Sequence, residues 1–293
     1  MVQTIACANQ KGGVGKTTTV VNLAAYLALA GDRVLVLDLD PQGNATSGFG
    51  IDRGGPEATL YDVILGDILL ADVIRPTAIE GCWIAPASVS LAGAEVELAA
   101  VERRERRVAM TLDGATDDYD YVLIDCPPSL GLLTVNALTA ANSVLIPTQC
   151  EYYALEGLSQ LIATLNLVRD NLNPALEIKG VVLTMYDART NLSADVAAEV
   201  RAHLGAAVFD TVVPRSVRLS EAPSFGLPIA LYRSDSRGAL AYAELARELR
   251  GRNGRNGRNG RPIADSQPGA ASSASASAAE PDLHAAAPAG ARW

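Results

Sequence analysis

The sequence predicts a doubly wound α/β fold, a mostly parallel sheet flanked by helices, and three observations predict it. Short apolar runs that suit burial on both faces recur along the chain, helical patterns separate them, and a glycine-rich loop joins the first run to the first helix. Residues 4–8 read as the first strand and residues 9–15 as the loop. Residues 17–30 are apolar at helical spacing (Val20, Val21, Leu23, Ala24, Leu27) and stop at Gly31, a common helix-ending residue. Residues 33–39 form a continuous apolar run that ends in acids, as a strand covered on both faces would. Runs of the same kind lie at 121–125, 143–147 and 178–184. Helical patterns lie between them around 95–111, 156–170 and 193–204, and a last helix runs from near Ser236 to near Arg250. In such sheets ligands bind beyond the carboxyl ends of the strands.

After residue 250 the composition changes. Residues 251–261 repeat Arg-Asn-Gly, and residues 262–293 are mostly Ala, Ser and Pro without hydrophobic periodicity. The expected organisation is therefore one domain over 1–250 and a disordered tail over 251–293. The chain has 293 residues, 49% of them hydrophobic, enough to bury a large core. Its formal net charge is −9, which argues against a generally basic nucleic-acid binder, but the charge is uneven. Residues 1–179 carry 22 acids against 11 basic groups, whereas residues 180–261 carry 12 arginines against 8 acids. Only three basic residues are lysines, Lys11, Lys16 and Lys179, and two of them fall within six residues. Cys7, Cys82, Cys126 and Cys150 form no CxxC pair, which disfavours a zinc site or disulfide framework. The N-terminus lacks the pattern of a signal peptide and no apolar run approaches the roughly 18 residues of a membrane span, so a cytoplasmic protein is expected.

The chemistry concentrates at Lys11-Gly12-Gly13-Val14-Gly15-Lys16-Thr17-Thr18, between a strand and a helix. Glycines let backbone N–H groups converge on phosphate oxygens, and the helix N-terminus adds partial positive charge. Lys16 is placed to reach the β- and γ-phosphates and the Thr17 hydroxyl to ligate Mg²⁺. Gln10 occupies the place where the usual motif has its first glycine, and an extra lysine, Lys11, follows it. Asp125 ends an apolar strand, as an acid that supports Mg²⁺ does. Asp38 and Asp40 end the second strand with one residue between them. One could then face the nucleotide and a hydrolytic water while the other supports the metal. Together these residues read as a Mg²⁺-dependent nucleoside triphosphatase.

KGGVGKTTT, DLDPQGNATSG and LIDCPPS, with TMYDART at 184–190 and VPRSVRLSEAPSFG at 213–226, resemble the ParA/Soj family of chromosome- and plasmid-partitioning ATPases. The resemblance spans roughly residues 1–250, and the loop with its extra lysine is shared with a wider class that includes MinD, nitrogenase iron proteins and arsenite-pump ATPases. It implies a P-loop fold of the deviant Walker A class and two subunits that sandwich two ATP molecules. Lys11 matches the lysine that reaches the partner's phosphates, and Gly12 the glycine that lets the two loops approach. Asp40 matches the residue that positions the attacking water, Asp125 the Mg²⁺-supporting acid, and Asp38 a neighbour of the metal shell. Adenine binding maps onto 214–216, through Pro214 and Ser216, where many relatives carry Asn instead of this serine. Arg189 and Arg218 match arginines that bind DNA without sequence preference, with Arg215, Arg247 and Arg250 as further candidates. The chain starts its first strand at once and resembles the short chromosomal form.

The implied function is chromosome-origin segregation on the nucleoid with a ParB-type centromere-binding partner that stimulates hydrolysis. The alternative is a related ATPase that positions a plasmid, a protein complex or the division machinery. A membrane positioner of the MinD kind would need an amphipathic C-terminal helix, which the tail lacks. An iron-protein reading would need cluster-holding cysteines, and Cys126 fits a buried structural role better.

Overall fold

Apolar strands whose side chains alternate between two covered faces need a helical layer on each side, and the chain builds that arrangement. A computed structural model describes residues 2–54 and 57–253. The strands are β1 (Gln3–Cys7), β2 (Val34–Asp38), β3 (Arg75–Pro76), β4 (Cys82–Ala85), β5 (Tyr121–Asp125), β6 (Ser143–Gln149), β7 (Glu177–Tyr186) and β8 (Val208–Pro214). They form one sheet in the order β3-β4-β2-β5-β1-β6-β7-β8. Every pairing is parallel except that of the two-residue β3 with β4 at one edge. The helices are α1 (Lys16–Leu29), α2 (Asn44–Gly48), α3 (Leu60–Leu65), α4 (Leu70–Val73), α5 (Leu91–Glu97) and α6 (Arg107–Leu112). They continue with α7 (Leu132–Ala140), α8 (Ala154–Asn171), α9 (Asn191–Leu204), α10 (Val217–Glu221), α11 (Ile229–Tyr232) and α12 (Arg237–Arg252).

The alternation is visible residue by residue. Ile5 and Cys7 of β1, Val34 and Val36 of β2, and Tyr121 and Leu123 of β5 pack in one layer with Leu23 and Leu27 of α1 and Tyr242 and Leu245 of α12. Ala6, Leu35, Leu37, Val122 and Ile124 face the other layer, with Leu133 of α7, Leu161 of α8 and Val200 of α9. β1 lies between β5 and β6, so the winding reverses at its carboxyl end, the place where open α/β sheets bind ligands. The strands expected near 4–8, 33–39, 121–125, 143–147 and 178–184 are all present, as are the helices expected from 17, 156, 193 and 236. The helix expected around 95–111 is broken: α5 ends at Glu97, two 3₁₀ turns follow, and α6 starts at Arg107. Arg103, at a φ of 53°, takes a left-handed conformation that no helix interior accommodates. The last helix ends at Arg252, and the expected tail lies, from residue 254 onward, outside the described residues. Among the described residues no helix is long and apolar enough to cross a membrane.

Candidate functional site

Residues 8–15 connect β1 to α1, and the glycines there do conformational work. Gly13 and Gly15 have φ values of 74° and 89°, in the left-handed region that favours glycine. Two tethers from outside and one bond within it hold the loop. Asn9 Nδ2 donates to the Pro147 carbonyl of β6 at 2.8 Å, Asn9 Oδ1 accepts the Lys11 N–H at 3.0 Å, and Thr184 Oγ1 of β7 donates to the Val14 carbonyl at 2.8 Å. Lys16 is buried and folds back over the loop, its Nζ 3.2 Å from the Lys11 carbonyl. Lys11 points outward, about half exposed, and forms an ion pair with Glu151. A Cβ on Gly12 would meet only Pro128, at an ordinary 3.9 Å.

The acids differ sharply in their surroundings. Parallel pairing of β2 and β5 sets Asp38 beside Asp125, and β1 sets Cys7 on Asp125's other side. Asp38 is fully buried and accepts three protein donors: the Asp40 N–H on Oδ1 at 3.2 Å, and the Thr46 N–H and hydroxyl on Oδ2 at 2.8 and 2.7 Å. Burial outweighs these bonds and pushes its carboxyl up to about 6. Asp125 is equally buried, yet among the described residues neither of its oxygens meets a donor within hydrogen-bond geometry. Burial pushes its carboxyl well above the carboxylate range; Asp38 and Asp40 add to the rise, while the Thr17 hydroxyl and the Lys16 charge oppose it. The expectation that Asp38 and Asp40 both end one strand needs correction. β2 ends at Asp38, and Asp40 lies in the loop beyond, its Oδ1 accepting the Gln42 N–H at 2.9 Å and its carbonyl the Gly43 N–H at 2.8 Å.

The 214–216 segment expected to hold the base lines one cleft with the end of the phosphate loop. A cleft of about 410 Å³ is lined by Gly15 and Thr18 on one side and by Thr184, Met185, Pro214 and Ser216 on the other. Met185 sits at a φ of 52°, a left-handed backbone at a non-glycine residue where β7 reaches the cleft. Ser216 precedes α10 without its side chain capping that helix.

The arginines separate into two groups. Arg189 and Arg215 line one cleft of about 710 Å³ together with Arg237. Arg189 is largely exposed and grips Asp187 through Nε and Nη2 at 2.8 and 2.7 Å, which holds the Asp187 carboxyl well below its usual value. Arg218, on the neighbouring α10, pairs with Glu221 at 2.7 Å. Arg250 does not belong with them: it is mostly buried and pairs with the buried Asp32 at 3.1 Å, and Arg247 pairs with Glu244. All four cysteines are buried and free. Thr46, Thr184 and Glu151 escaped the reading of the sequence. The first two lie within the quoted NATSG and TMYDART segments, which was the available signal.

Comparison with known proteins agrees with this geometry. Residues 2–178 match a family described as an AAA domain. The sporulation initiation inhibitor protein Soj of Bacillus subtilis is 56% identical over 249 residues, covering 85% of this chain and 98% of that protein. The chromosome partitioning protein ParA of Caulobacter vibrioides is 53% identical over 253 residues, covering 86% of this chain and 95% of that protein. A solved structure described as cobyrinic acid a,c-diamide synthase from Mycobacterium smegmatis, with bound ADP and magnesium, is 40% identical with a TM-score of 0.75, covering 84% of this chain and 93% of that one. With a phosphate loop at the switch of a parallel sheet and relatives of this identity along nearly their whole length, the chain belongs to the ParA/Soj family of chromosome-partitioning ATPases.

Proposed function

We propose that this chain hydrolyses ATP with Mg²⁺ as an ATP-sandwich homodimer, binds DNA without sequence preference, and drives chromosome-origin segregation with a ParB-type partner that stimulates hydrolysis. The observation that carries this reading is the pairing of a glycine-built, two-lysine loop with a buried carboxylate that no protein donor satisfies. A buried charge is retained in folded proteins when it is paired or holds a cation. Asp125 and the Thr17 hydroxyl fit Mg²⁺ on that ground, and the ion, when bound, neutralises charge on the triphosphate oxygens. Lys16, already turned over the loop, meets the phosphates in its own subunit. Gly13, Val14, Gly15 and Thr18 supply backbone and side-chain donors, and the 214–216 segment, with Pro214 and Ser216, accommodates the base. Asp40 orients the attacking water.

Lys11 has a different part. Its ammonium is outside the loop and held by Glu151, so a second subunit's phosphates can compete for it. Gly12 has a left-over freedom that supports the same reading: among the described residues of one chain nothing needs a glycine there. Gly12→Val is therefore expected to bind ATP with an unchanged melting temperature yet to sediment as a monomer. A dimer in that variant would contradict the sandwich. Lys16→Ala is expected to lose ATP binding, and retained hydrolysis there would remove the phosphate-loop assignment. Arg189 and Arg218 bind DNA phosphates by exchanging their carboxylate partners for them, which places the dimer on the nucleoid.

A further inference from the structure

Asp40 is carried on a loop whose two ends converge on one buried carboxylate. The Asp40 N–H donates to Asp38 Oδ1, and eight residues after Asp38 both the N–H and the hydroxyl of Thr46 donate to Asp38 Oδ2. The Thr46 hydroxyl also accepts, at 3.0 Å, the N–H of Ala87 in the segment after β4. Thr46 has no solvent exposure and Ala87 none either, so no water replaces either bond. A hydroxyl has one proton to give; here it goes to Asp38, and the lone pairs face Ala87. Only a hydroxyl at this position joins the two segments. Valine matches its shape but supplies neither the donor nor the acceptor.

We propose that Thr46 is a positioning residue for ATP hydrolysis: with Asp38 and the Ala87 N–H it fixes the 38–46 loop, and through it the place of Asp40. Asp38 is then the anchor of that loop rather than a member of the metal site, which is left to Asp125 and Thr17. The inference rests on the reading of Asp40 given above. Its physical content is that a shift of the reacting groups by about 1 Å costs up to about 100-fold in rate.

The test compares Thr46→Val, Thr46→Ser and Asp38→Asn in the full chain. T46V is expected to lower kcat about 10- to 100-fold while KM for ATP changes by less than about twofold, and T46S, which keeps the hydroxyl, is expected to hold kcat within about threefold of the parent. In the nucleotide-free chain, amide exchange of residues 40–46 is expected to quicken in T46V but not in T46S. D38N is expected to lose kcat with its Mg²⁺ requirement unchanged. Parent-like kcat in T46V, equal losses in T46V and T46S, or a raised Mg²⁺ requirement in D38N would each overturn the proposal. If T46V does not fold, D38N and the exchange of T46S decide. Absence of hydrolysis by the parent chain would overturn the ATPase reading instead, and amide exchange would still decide whether Thr46 anchors the loop.

Discussion

Asp125 sets the tension between stability and function at the scale of a single residue. Among the described residues its two buried oxygens make no well-formed hydrogen bond, and burial, opposed only in part by the Thr17 hydroxyl and the Lys16 charge, holds its carboxyl above the usual value of 3.8. The folded chain therefore binds more protons here than the unfolded chain, and ionisation destabilises the fold as pH rises above the unfolded value. Asp125→Asn is expected to stabilise the fold by about 1–3 kcal/mol at pH 7.5, seen as a raised melting temperature, with the gain shrinking toward pH 4, while Mg²⁺-dependent hydrolysis is lost. A thermal melt that falls at neutral pH would show that Asp125 has a partner after all. Lys11 to Thr18 could be read from the sequence because a phosphate loop is local, its glycines and lysines lying within eight residues. Thr184 could not, because its partner Val14 is 170 positions away and only the β7 register brings them together. The same holds for Thr46, whose bond to Ala87 spans 41 positions.

Among the elements, the central strands were legible because burial on both faces makes them uniformly apolar, as in the VLVLD of β2 and the YVLID of β5. α7 was not, since LLTVNALTA is buried on several sides and shows no polar face to give the helical period. β8 was missed because exposed Asp210 interrupts its apolar run at the edge of the sheet. α12 was legible at both ends, and its start is fixed by Ser236, whose hydroxyl accepts the Ala239 N–H at 3.2 Å. Its far end is docked by charge. Arg250 meets Asp32, Arg252 donates to the Val208 carbonyl of β8 at 2.7 Å, and the Arg252 guanidinium lies 3.9 Å from the centre of the Phe209 ring. Burial pushes the Asp32 carboxyl up to about 6, with Arg250 pulling it down. Asp32 is ionised in the fold above about that pH, so the ion pair stabilises α12 there and fades as the carboxyl protonates. Arg250→Ala is expected to cost about 2–4 kcal/mol at pH 8 and clearly less at pH 5, read from denaturant unfolding at the two pH values. Equal losses at both would assign the arginine a packing role alone.

For the whole molecule, the net charge of −9 hides a division between an acidic first part and an arginine-rich later part. The later part contains Arg189, Arg215 and Arg218, and the proposed dimer would double the surface that carries them. Two of these arginines begin in ion pairs with partly buried carboxylates, so on the proposed reading DNA would compete with Asp187 and Glu221 as well as with solution ions. Affinity per subunit is then modest, and retention on DNA is expected to fall steeply between about 50 and 200 mM salt. The most direct measurement is retention of the purified full chain on DNA of random sequence, with and without ATP and Mg²⁺, in parallel with sedimentation. ATP with Mg²⁺ is predicted to give a dimer that is retained at low salt, with retention lost in Arg189→Ala/Arg218→Ala although that variant still dimerises. Retention that is the same without nucleotide, or unchanged in the double variant, would contradict an ATP-switched DNA-binding dimer.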